Sequence, residues 1–200
     1  MTRFLAGVIA AVLVSWFLAV TVNAQSPDSW TYRTPTDEMT GKAIQTASIL
    51  SANTVNFGFP YQGEQRATLM LREHPRFGFD IMVSIERGQF VCYRSCSILV
   101  RFDQQNPMEW PASPASSGNS NILFLTGKLK TPPQQIINLG GPAFLDELRK
   151  ASELWVAAQF YGEGERRLMF RVARLEWPED KPTPTPPPSP APAPVPKDTH

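Results

Sequence analysis

Cys92 and Cys96 are the only cysteines of this 200-residue chain. They flank a three-residue turn in Val83 to Asp103, VSIERGQFVCYRSCSILVRFD, between two strand-like runs, a spacing suited to oxidation into a hairpin disulfide. A closed metal site would need more clustered ligands than a Cys-x-x-x-Cys pair, and the only histidines are His74 and the terminal His200. Thioredoxin-type redox catalysis places two residues between its cysteines at a helix N-terminus, whereas these stand between strands. The reading is therefore a structural disulfide with no metal and no cofactor. Because its loop is short, its contribution belongs at the low end of ~2–4 kcal/mol.

Hydrolytic chemistry has little to build on. A serine or cysteine nucleophile needs a base within reach, and His74 reads as an exposed histidine in a Glu-His-Pro-Arg turn. No Ser-x-x-Lys spacing occurs. Glu73, Asp80 and Glu86 could line a cleft and act as general acid and base on a glycan. The alternation instead places Asp80 and Glu86 on a polar strand face beside Arg72 and Arg101, where charge pairs across a sheet are expected. No catalytic residue is assigned, and a glycan-acting hydrolase is the alternative function.

Binding chemistry is better supplied. Arg66, Arg72, Arg76, Arg87, Arg94 and Arg101 fall in the first half of the chain with acids between them, which reads as a solvated surface or a peptide or glycan contact face. Gln104 to Asn121 reads as a long loop in which Met108 and Trp110 are candidate anchors, with Trp110 equally suited to closing the core. The candidate interaction residues are Met108, Trp110, Arg72 and Arg101.

The elements that must position these groups follow from period-two alternation. Phe77, Phe79, Ile81, Val83 and Ile85 share one face of a run whose other face carries Asp80, Ser84 and Glu86. The same period recurs at Val55, Phe57, Phe59 and Tyr61, at Ala67, Leu69 and Leu71, at Ile98, Val100 and Phe102, and at Leu154, Val156, Ala158 and Phe160. Turns are expected at 60–64, 74–76, 86–88 and 161–165. Leu168, Phe170 and Val172 keep one phase while Leu175 and Trp177 take the other, which predicts a β-bulge near Ala173 and Arg174. Pro142 to Ala151 opens with proline, carries acids early and bases late, and reads as a short amphipathic helix. The fold class is mainly β: an antiparallel β-sandwich or partly open barrel with one short α-helix over 142–151.

The ends of the chain set its destination. Arg3, the apolar run Phe4 to Val20 and Val22-Asn23-Ala24 form a secretory leader over 1–24, with an uncleaved anchor as the alternative. Without the leader, 18 basic residues stand against 18 acidic ones, which favours neither nucleic acid nor an anionic membrane. Residues 25–177 form a single β-rich domain of ordinary size. From Pro178 the chain reads PEDKPTPTPPPSPAPAPVPKDTH, a proline-rich disordered tail reaching on the order of 60 Å if extended. The expected location is periplasmic or secreted.

Several signatures stand in order: Trp30-x-Tyr32, Asp37-x-Met39-Thr40-Gly41-Lys42, Asn53-Thr54-Val55-Asn56-Phe57-x-Phe59-Pro60-Tyr61, Ala67-Thr68-Leu69-x-Leu71-Arg72, Ser84-Ile85-Glu86-x-Gly88-Gln89-Phe90-x-Cys92 and Ile98-Leu99-Val100-Arg101-Phe102-Asp103. This order resembles a family of proteobacterial exported proteins, often lipoproteins, over most of Trp30 to Trp177. The chain departs from it in lacking a lipobox cysteine, so no lipid tether is implied. The order is also similar to that of periplasmic accessory proteins of type VI secretion. The first resemblance carries no activity; the second implies a β-rich binding domain engaged with envelope machinery. With the leader and the lack of catalytic sets, the expected function is a non-enzymatic interaction module of the bacterial cell envelope that binds an envelope protein or cell-wall component, or a structural factor of a secretion or conjugation apparatus.

Overall fold

The computed structural model describes residues 26–125, 128–131, 135–138 and 141–178. The leader and the proline-rich stretch after Pro178 lie outside the described residues. Alternating apolar residues form strands because one face of each run can be buried while the backbone pairs sideways. In chain order the elements are β1 (Thr31–Arg33), β2 (Gln45–Leu50), β3 (Val55–Phe57), β4 (Gly63–Gln65), β5 (Ala67–His74), β6 (Gly78–Ile85) and β7 (Cys96–Phe102). They continue with β8 (Met108–Pro114), β9 (Ile122–Phe124), β10 (Lys128–Thr131), β11 (Gln135–Asn138), α1 (Gly141–Lys150), β12 (Glu153–Phe160) and β13 (Gly164–Arg171).

Nine strands make one antiparallel sheet in the order β1-β2-β5-β6-β9-β8-β7-β12-β13, while β3–β4 and β10–β11 form two-stranded ribbons. The fold is thus mainly β with one short helix. The large sheet curls until its two ends meet, yet no ladder closes it. At the seam, Ala52 N donates to Met169 O at 2.7 Å. The Asn53 side chain stands in for the missing strand: its Nδ2 donates to Arg167 O and its Oδ1 accepts from Met169 N, both at 2.8 Å. Trp30 Nε1 adds a bond to Val172 O at 3.1 Å.

The inner phase of every long strand is buried. Leu69, Leu71, Ile81, Val83, Val100, Phe102, Leu154, Val156 and Phe170 are each at most 2 % exposed. Each such side chain removed from water contributes about 1.5–3 kcal/mol to folding. Helix α1 closes one end of the curl with Phe144, Leu145 and Leu148, and the Phe144 ring meets Phe102 and Trp110 edge-on at 5.1 and 5.0 Å.

Several expectations are corrected. Phe77 is 64 % exposed, because it belongs to the β5–β6 turn and not to the alternating strand. Phe59 is 86 % exposed, since the chain turns after Phe57. His74 is buried: its Nδ1 accepts from Arg76 N at 3.1 Å and its ring packs on Phe77. The phase slip near Ala173 is a turn beyond the end of β13, with Arg174 at φ +62°, and no bulged strand. The helix has no acid in its first turn; Asp146 and Glu147 sit mid-helix and pair with Arg149 and Lys150. The expected loop over Gln104 to Asn121 contains strand β8.

Candidate functional site

The disulfide Cys92–Cys96 is formed, but it does not join two neighbouring strands. Gln89 to Val91 lie beside the end of β12, through Phe90 opposite Phe160 and Val91 N donating to Gln159 O at 2.8 Å. Cys96, Ser97 and Ile98 pair with β8, and only from Leu99 onward does β7 take the place beside β12. The bond therefore spans the point where the chain leaves β12 and turns back. Gly88 precedes this excursion at φ +133°, and a Cβ there would stand 2.6 Å from the Phe57 ring, so both conformation and space demand glycine.

The four candidate interaction residues separate. Trp110 is 2 % exposed, which selects the core placement: it points inward from β8 and packs under Phe144. Met108 is half-buried and packs against the core from the start of the same strand. Arg72 faces outward from β5, over the Phe124 ring, and pairs with Asp80 across the sheet at 2.6 Å. Arg101 lies on another part of the outer surface and lines a recess.

That recess is built by the outer phase of β7, β12 and β13. Register sets Arg101 opposite Trp155, Leu99 opposite Ala157, and Ala157 opposite Arg167. With Pro107 and Glu165 these side chains line an open hollow of about 290 Å³. Its floor is apolar, and Leu99 is 40 % exposed. The Arg101 guanidinium lies 5.4 Å from the centre of the Trp155 ring, a stacked cation–π arrangement. Among the described residues no carboxylate pairs with Arg101. Arg101 Nε and Trp155 Nε1 are buried without acceptors. The one acid in the recess, Glu165, leans toward Arg167 at 3.9 Å. Hydrogen-bond donors and apolar area thus exceed acceptors, a chemistry of recognition.

The carboxylates considered for hydrolysis do not share one face: the ladder sets Asp80 opposite Arg72 and Glu73 opposite Phe79, on alternate phases. Asp80 and Glu86 are six residues apart along β6 and its continuation, ~20 Å, against the ~5–9.5 Å that paired carboxylates need. Asp80 is committed to Arg72, and Glu86 Oε2 accepts from Arg66 N at 3.5 Å. The groups with displaced titration also lie elsewhere. The Thr40 hydroxyl and Met39 backbone hydrogen-bond Asp37 and lower its pKa, with help from the charges of His74 and Arg76. Lys150 and Gln105 do the same for Glu147, while burial raises Tyr32.

A second apolar surface lies at the end of the curl away from α1. Glu163 Oε1 accepts from Gly58 N at 2.6 Å, and Tyr161 N donates to Gln89 O at 2.9 Å, so three connections are tied together. They present Phe59, Val91, Tyr93 and Tyr161, each more than half exposed. Sequence reading missed Trp155, whose signal was a tryptophan on the outer phase of β12, between Glu153 and Ala157. It also missed Tyr93 and Tyr161, whose signal was aromatics at turn tips.

Compared with protein-family models, curated proteins and solved structures, the chain has no match.

Proposed function

We propose that this protein is an exported, non-enzymatic binding module of the cell envelope, holding a protein partner on the outer face of β7, β12 and β13. The observation that carries this reading is the recess itself, where an exposed apolar floor, an indole and a cation with no carboxylate partner among the described residues share one sheet face. Such side chains dominate binding energy when a partner covers them. The disulfide supports an oxidising compartment, and the leader supports export. No helix among the described residues is long and apolar enough to cross a membrane. The resemblance to periplasmic accessory proteins of type VI secretion points the same way, and a partner belonging to a secretion or conjugation apparatus would make the protein an accessory factor of that machinery.

The test is capture from envelope extract under oxidising conditions, using the exported protein, a copy lacking residues 178–200 and Trp155→Ala. The expected result is a specific protein held by the first two and lost with Trp155→Ala. Retention by all three, or sacculus bound only through the tail, would refute the assignment to this face.

A further inference from the structure

The recess also specifies what kind of segment it accepts. We propose that it takes an acidic side chain and a neighbouring apolar side chain from an extended stretch of a partner protein, an inference that rests on the binding-module reading. The carboxylate would lie on the Arg101 guanidinium, and the apolar side chain would lie over Leu99 and the edge of Trp155.

Charge gives the first part. Arg101 and Arg167 supply two cations against the single anion of Glu165, and Glu165 already leans on Arg167. Arg101 is the cation left over, and its planar head can receive a carboxylate through two parallel hydrogen bonds. A polyanion is disfavoured, because Glu109 and Glu153 share the outer phase of the strands flanking Arg101 and would face its remaining charges. One carboxylate fits where a row of phosphates does not.

Size and register give the second part. The hollow of about 290 Å³ is open and at or below the ~300–1,000 Å³ of sites that enclose small molecules, so it suits side chains projecting from a segment resting on the sheet. Arg101 and Leu99 are two residues apart on one strand, ~6.6 Å. A partner segment in extended conformation has the same spacing between its own alternate side chains. The acid and the apolar residue are therefore two positions apart in the partner, with any residue between them.

A random-peptide display library panned on the disulfide-intact exported protein tests this. Recovered peptides should carry Asp or Glu two positions from Leu, Ile, Met or Phe. Changing that acid to its amide, or Arg101→Gln in the protein, should each weaken binding at least about tenfold, and the two losses should not add. Arg101→Gln removes no ion pair among the described residues, and Trp155→Phe serves where Trp155→Ala does not fold. Failure to recover peptides, peptides without the acid, or binding indifferent to Arg101→Gln would each overturn the proposal. So would a dimer of this chain abolished by Arg101→Gln, since a second copy would then be the occupant. A captured partner that Trp155→Ala releases and Arg101→Gln does not would leave the binding module standing and remove only this account of its ligand.

Discussion

Arg72 and Arg101 occupy matching positions in two parts of the same sheet, and their difference separates structure from recognition. Each projects from the outer phase of an interior strand and lies over an aromatic ring, Phe124 at 6.0 Å for the first and Trp155 at 5.4 Å for the second. Each leaves its Nε without an acceptor. Only Arg72 has a carboxylate, Asp80, directly opposite in the ladder. The residue opposite Arg101 is Trp155. A cation satisfied within the fold is spent on the fold, whereas one stacked on an indole keeps its hydrogen-bonding face for something else.

The strongest way to break this comparison uses the two tryptophans. Trp110→Ala should cost about 3–5 kcal/mol in urea unfolding, because it empties the space beneath Phe144. Trp155→Ala should cost about 1 kcal/mol or less and act on partner binding instead. Equal losses of stability would mean that Trp155 is a core residue and the recess a packing defect. Next come the arginines. Asp80→Asn should cost about 0.5–1 kcal/mol, and Arg101→Gln within about 0.5 kcal/mol of nothing, both read by thermal or urea unfolding. A larger effect at Arg101 would show that it holds the sheet together.

Acid should give the smallest effect. Asp37 and Glu147 have lowered pKa values in the folded protein, so the stability they supply is present above their unfolded values and is lost as pH falls through the folded ones, below about pH 4. Neither group lines the recess, so Asp37→Asn and Glu147→Gln should each slightly flatten the fall in Tm between pH 5 and 3 and leave partner binding at pH 7 unchanged.

Alternation made the inward phase of the long strands legible: Leu69 and Leu71, Ile81 to Ile85, Ile98 to Phe102 and Leu154 to Phe160 are buried as their spacing predicts. It failed where a turn continued the period by chance, at Phe59 and Phe77. Strand β8 was hidden because Pro111 and Pro114 lie within it, and proline ordinarily argues against a paired strand. The recess depends on cross-strand register. That Arg101 faces Trp155 across β7 and β12, which are 50 residues apart, is a consequence of topology that local spacing does not encode.

Asn53 carries a consequence for self-association. Strand β13 is the last in the sheet, and such an edge offers its unpaired amides and carbonyls to any other chain. One side-chain amide occupies that template at Arg167 and Met169. The opposite edge, β1, is only three residues long and ends in Arg33. Together with the Ala52 amide and the Trp30 indole, which bond Met169 O and Val172 O, the Asn53 carboxamide resists strand-by-strand polymerisation. Its loss would first appear as aggregation that rises with concentration, before any drop in the midpoint of unfolding.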